Sequence, residues 1–265
     1  MTLPFNDKMY LGGFLAKTIP LTLALHYYLN LKNRNFNFFV IVVLFLSSSL
    51  IYLSGERTAI AQFLIFLLFI FIFLKNIRIS LIFFSVFLFV SLAIFSITNK
   101  EILDRNIYTS YSQLFNSEKG NINLFSEIHE SHIKGAYKMF IDKPVIGQGP
   151  NNFRKLCDLE KFNINKHTCT THPHNSYIQI LAETGIVGFI FFLILPLYLT
   201  FVLLRYLFRT SNRNEIILTR AEILLYGCIL LTFIPFLPSL NFFNNYINIL
   251  YYLPIGFLLY INSFK

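Results

Sequence analysis

The chain has 265 residues, 55% of them hydrophobic and 13% charged, with a mean hydropathy of +0.59. A soluble domain carries about 25% charged residues, so a soluble enzyme is excluded. With 11 Gly, 9 Pro and 3 Cys, the chain is not collagen-like, disordered or a disulfide scaffold either. The net charge of +9 would invite nucleic acid in a soluble protein. Here the basic residues flank apolar blocks, where orientation across a bilayer accounts for them. No nucleic-acid partner is expected.

Apolar blocks of about 18 or more residues read as membrane-spanning helices. Seven stand out: residues 11–31, 36–54, 58–74, 79–98, 185–204, 221–238 and 247–264. The first contains Lys17, Pro20 and His26. The last two contain Pro235, Pro238 and Pro254, which membrane helices tolerate where neighbours re-satisfy the freed carbonyls. The expected fold is therefore an all-α polytopic membrane protein of about seven transmembrane helices. One large periplasmic loop of short helices separates the fourth from the fifth. Three regions follow: transmembrane helices 1–4 over residues 1–98, the periplasmic loop domain over 99–174, and a short periplasmic helix with helices 5–7 over 175–265.

Short connections set the orientation. One set holds Lys32, Arg34, Lys75, Arg78, Arg205, Arg209, Arg213, Arg220 and Lys265, and the alternate set only Lys8 and Arg57. Nine against two places the first set in the cytoplasm. The amino end and the loop then lie on the outer side, and the carboxyl end in the cytoplasm. Residues 1–10 lack the basic and apolar regions of a signal peptide. A chain starting outside without one leads us to expect missing upstream sequence.

The loop carries ten Lys/Arg and eight Asp/Glu, so it is near neutral. Residues 131–140 alternate apolar and polar positions at helical spacing, and Pro144, Gly147, Gly149 and Pro150 then mark a turn. Residues 175–183 read as a short amphipathic helix entering the fifth span.

Histidine is concentrated in this loop, at His129, His132, His167 and His172, with His174 closing it. The sharpest cluster is Thr171-His172-Pro173-His174-Asn175-Ser176. Pro173 restrains the backbone before a helix that Asn175 or Ser176 can cap. Free N–H groups and the positive end of a helix there suit an anionic ligand. Histidine also has the unperturbed pKa that general-base work near neutral pH needs. The alternative reading makes His172 and His174 ordinary interfacial polar residues. A metal site is not expected, because His-Pro-His lacks i, i+4 spacing and no carboxylate or thiol set accompanies it.

Arg57 stands in Ser54-Gly55-Glu56-Arg57-Thr58-Ala59, a short outer turn where basic residues are otherwise scarce. Two readings stand: a snorkelling arginine paired with Glu56, or a bidentate pyrophosphate ligand. Arg154 is a second phosphate candidate or a solvated loop charge. Lys17 either faces a polar cavity or snorkels to the outer surface. Cys157 and Cys169 can pair in an oxidising periplasm, bracing the loop by about 3 kcal/mol in the chain-entropy model. A thiol nucleophile is the weaker option for either.

His174-Asn175, nine residues, then Gly185-Ile186-Val187-Gly188 resembles the signature of the O-antigen ligase and polymerase family. Asp142-Lys143-Pro144 with Gly147-Gln148-Gly149-Pro150 resembles the turn before that signature. Residues 54–59 resemble the family's outer arginine turn, and residues 238–245 (PSLNFFNN) a motif near its carboxyl end. The resemblance implies a membrane glycosyltransferase that ligates or polymerises undecaprenyl-pyrophosphate-linked glycan at the periplasmic face. The acceptor would be lipid A–core or a growing glycan. His174 would be the base and Arg57 the pyrophosphate ligand that stabilises the departing charge. The family's further outer arginine has no clear match, and His132 or Arg154 stands in for it. His172, Asn175 and Lys17 join as substrate contacts. No metal or other cofactor is implied. The family usually has more spans, so this chain is expected to be the carboxyl portion of a full-length member. Competing readings are a polysaccharide or lipid transporter, suggested by the proline-broken spans, and an inactive truncated scaffold.

Overall fold

The computed structural model describes residues 11–29, 36–99, 104, 115–116, 121–122, 127–208 and 218–263. Lys8, Lys32, Arg34, Arg209, Arg213, Lys265, residues 1–10 and most of residues 100–126 lie outside that set. In chain order the first helices are α1 (Leu11–Leu29), α2 (Phe36–Ser54), α3 (Arg57–Phe73) and α4 (Arg78–Thr98). Then come α5 (Glu127–Asp142), α6 (Phe153–Leu156), α7 (Ser176–Leu207), α8 (Arg220–Thr232) and α9 (Asn245–Asn262). A 3-10 turn, Lys75–Ile77, precedes α4, and a two-residue ladder pairs Phe115–Asn116 with Asn121–Ile122. The architecture is otherwise helical.

Among the described residues, two stretches, Lys75–Thr98 and Ser176–Leu207, are long and apolar enough to cross a membrane. Phe38–Ser54, Arg57–Phe73 and Ile247–Asn262 are shorter apolar helices. The span expected over residues 221–238 is corrected, since α8 has 13 residues and stops at Thr232. Pro235 and Pro238 cannot donate to a helical ladder and restrict the residues before them. At about 1.5 Å per residue α8 is about 20 Å long, short of a hydrocarbon core of about 30 Å.

The chain divides into two compact units. The first comprises Met1–Tyr111, Val202–Leu231 and Leu253–Lys265. In it α1 packs on α2 and α3, and α2 on α4. Leu23, Leu44, Phe66, Ile70, Leu224 and Leu225 are buried. On α4, by contrast, Ile79, Phe83, Val86, Phe87 and Phe89 are exposed. A bare apolar face on so hydrophobic a helix is a surface for lipid.

The second unit comprises Ser112–Phe201 and Thr232–Tyr252. α5 buries His132, Gly135, Ala136 and Met139, one stripe at helical spacing. That stripe meets Phe153, Cys157, Phe162 and Ala182 in a small core. Cys157 and Cys169 are joined in a disulfide, with Cα atoms 5.2 Å apart. α7 is kinked at Gly185, whose φ of 65° and ψ of −165° are not helical. A short helix thus leads into a long apolar one.

Candidate active site

The His-Pro-His hairpin is held from a distance in sequence. The Ser239 N–H donates to the His174 carbonyl at 2.9 Å, and the Ser239 carbonyl lies 3.2 Å from His172 Nε2. A carbonyl only accepts, so His172 carries its proton on Nε2. Its Nδ1 is then an acceptor for the Thr171 hydroxyl at 2.9 Å. Both ring nitrogens of this buried histidine are satisfied inside the protein. A substrate contact by its ring would have to displace one of these two bonds. Asn175 is likewise occupied: its Oδ1 accepts from the Tyr177 and Ile178 N–H groups, capping α7, and its Nδ2 donates to the Pro235 carbonyl. Ser176 bonds Ser239 through their hydroxyls. The non-helical residues after α8 are therefore the strap that fixes the hairpin.

His174 itself is different. It has a left-handed backbone, φ 54°, in the region that favours glycine. Its ring is partly exposed and has no hydrogen bond to either nitrogen among the described residues. The ring lies 4.1 Å from that of His172 and 5.4 Å from those of His129 and His132, centroid to centroid. His129 and His132 are 6.0 Å apart on one face of α5. The sequence reading singled out His132 but passed over His129. Their i, i+3 spacing on an amphipathic helix was the available signal.

Burial, reinforced by the neighbouring imidazoles, pushes His174 down to about 3. His172 falls to about 4 for the same first reason, against the opposing pull of the Ser239 carbonyl. Burial and His129 also lower His132, opposed by its hydrogen bond to the His167 backbone. His172 and His174 are therefore neutral at pH 7, and the free ring lone pair of His174 is an acceptor. His132 Nδ1 is buried with no partner among the described residues. No group of three His, Cys, Asp or Glu side chains among them is arranged to hold a metal ion.

The turn before α7 is locked to it. Gln148 and Gly149 donate their N–H groups to the carbonyls of Ala182 and Glu183, both at 2.9 Å. The buried Glu183 carboxylate accepts from the N–H groups of Asn151 and Phe153, at 3.0 and 2.9 Å. Gly147 and Gly185 both have positive φ. A Cβ on Gly185 would overlap the Val145 carbonyl, and one on Gly147 the backbone of Glu183. Arg154, on α6, is exposed.

In the first unit, Arg57 is the exposed opening residue of α3. The Glu56 carboxylate beside it grips the start of α1, accepting from Gly12 N at 2.7 Å and Gly13 N at 2.8 Å. Carboxylates are favoured at that positive helix end. Lys17 does not snorkel as one reading had it. It is buried within α1, and the Glu56 carboxylate is the charge that acts on it.

These features define a helical membrane protein whose polar site is a histidine cluster on a strapped hairpin. The O-antigen ligase family profile matches residues 41–193, more than half of the chain, and the chain belongs to that family. A search of curated proteins finds no match. The family is a glycosyltransferase-like class acting on lipid-linked glycan in a membrane setting.

Proposed function

We propose that this chain transfers or polymerises an undecaprenyl-pyrophosphate-linked glycan at the periplasmic face of the bacterial inner membrane. The proposed topology keeps seven crossings, an outer amino end and an inner carboxyl end, on the strength of the basic-residue asymmetry. The sixth crossing is made by the short α8 together with the non-helical residues that follow it. One observation carries the catalytic part. Among the described residues, His174 is the hairpin residue whose ring nitrogens have no hydrogen bond, while its neighbours His172 and Asn175 are used in holding it.

In the proposed reaction an acceptor hydroxyl oxygen attacks the anomeric carbon of the donor sugar. The bond from that carbon to the pyrophosphate oxygen breaks, undecaprenyl pyrophosphate leaves, and the hydroxyl proton passes to His174. A neutral imidazole is the required starting form. An anionic donor nearby makes the resulting imidazolium more favourable than it is in the empty site. Arg57 is assigned to the pyrophosphate, and His132, Arg154 and Lys17 to secondary contacts with donor or acceptor. This scheme needs no metal, because cationic side chains offset the charge that leaves.

Surface glycan from a strain lacking this gene tests the reading on a gel. Loss of polymer from lipid A–core, with lipid-linked polymer accumulating, identifies a ligase. A single repeat unit on the core identifies a polymerase. A ladder identical to that of the parent strain would refute glycan transfer by this chain.

A further inference from the structure

The turn between α5 and α6 has a property the glycan reading leaves unused. Its tip is apolar and bare: Val145 is 58% exposed and Ile146 72%. The turn runs beside the start of the long, apolar half of α7. The Pro144 carbonyl accepts from Ile186 N at 2.8 Å, and the Val145 carbonyl from Val187 N at 3.3 Å. At this level α7 itself exposes Ile186 and Val187, and further along Phe191. The two bare surfaces are thus continuous through backbone bonds.

Depth follows from length. At about 1.5 Å per residue, residues 186–207 extend about 33 Å, close to a hydrocarbon core of about 30 Å. Their first turn, and the tip bonded to it, therefore fall at the edge of the hydrocarbon. Backbone chemistry agrees, because irregular backbone is tolerated there only when its polar groups are satisfied. Pro144 has no N–H to strand, the Pro144 and Val145 carbonyls are occupied by α7, and Gly147 N donates to the Lys143 carbonyl at 3.0 Å. The remaining polar groups of Val145 and Ile146 need the water of the interface, which sets the tip at the hydrocarbon edge and no deeper. Exposed Lys143 beside the tip suits the phosphate level of the headgroups.

We propose that residues 144–147 form a membrane-inserted anchor, with Val145 and Ile146 seated in the leaflet where α7 begins its crossing. The anchor sets the height above the bilayer of the loop that carries the histidine cluster. It rests on α7 being a membrane span, and not on the chemistry assigned to His174.

The chain contains no tryptophan, so one introduced tryptophan reports alone. The full chain is reconstituted in phosphatidylcholine vesicles, with or without acyl chains brominated near the headgroup, as Ile146→Trp, Phe191→Trp or Leu159→Trp. Leu159 is exposed between the charged residues Asp158 and Glu160. The anchor predicts blue-shifted emission from position 146, quenched by brominated lipid as strongly as position 191 and insensitive to aqueous iodide. Position 159 should behave in the opposite way. Quenching of position 146 by iodide alone would overturn the proposal in favour of a solvated loop. Quenching by neither would overturn it in favour of a protein partner or second copy covering the tip. An unquenched position 191 would remove the span, and the anchor with it. Should Ile146→Trp fail to fold, Val145→Trp carries the same prediction.

Discussion

The His174 hairpin and the Arg57 turn present their key residues by opposite means. The hairpin is tied by many bonds to a segment about sixty residues away, several of them made by backbone atoms of Pro235 and Ser239. The Arg57 turn is tied to α1 by a side chain, the Glu56 carboxylate, spread over two successive N–H groups. Distributed backbone ties allow His174 a left-handed conformation that costs about 1–2 kcal/mol in isolation. A side-chain tie such as that of Glu56 is lost with one substitution, whereas backbone ties are not.

The largest expected effect comes from the junction under the hairpin. Gly185→Ala should destabilise the protein by about 4 kcal/mol or leave it unfolded, because the added methyl meets the Val145 carbonyl at positive φ. Thermal unfolding in detergent would show it. Next is Glu56→Ala, which strands two helix-end donors and should cost about 2 kcal/mol. Glu56→Gln should recover part of that loss, as it can still accept at one oxygen. If both variants melted like the parent, the contrast between a side-chain tie and backbone ties would be wrong.

Acid should act on the hairpin. Folding holds His172 near 4 and His174 near 3, whereas an unfolded chain takes up protons around 6.5. Depressed folded values mean their contribution is complete above about pH 6.5 and declines as pH falls toward 4 and then 3. Melting temperature followed across that range should fall, with a shallower slope in His172→Gln. The smallest effect is expected from Ser239→Ala. It deletes one hydroxyl bond to Ser176 and leaves the backbone bonds to both histidines, costing about 1 kcal/mol or less. A large loss there would show that the side chain, not the backbone, secures the strap.

How far these features were legible depends on the range of the signal. Hydropathy exposed the apolar blocks, because bilayer thickness imposes a length that one sequence window can measure. Local chemistry pointed to the hairpin: Pro173 and the Asn175 cap lie within a few residues of His174. The strap was misread as the end of a span, since Phe233, Phe236 and Leu237 look apolar whether or not prolines stop the helix. Glu56 reaches Gly12 across 44 residues, and no local pattern announces such a tie. Glu183 was passed over for the same reason, its partners at Asn151 and Phe153 being about thirty residues away.

The most direct test of the account replaces His174 alone. A strain lacking the gene is complemented with the parent chain or with His174→Ala, matched for membrane-inserted protein, and its surface glycan is resolved on a gel. General-base assistance is worth about 10²–10⁴-fold, so the variant should give the deletion strain's pattern while inserting and melting like the parent. A parental glycan ladder from His174→Ala at equal protein level would contradict the assignment of His174 as the catalytic base.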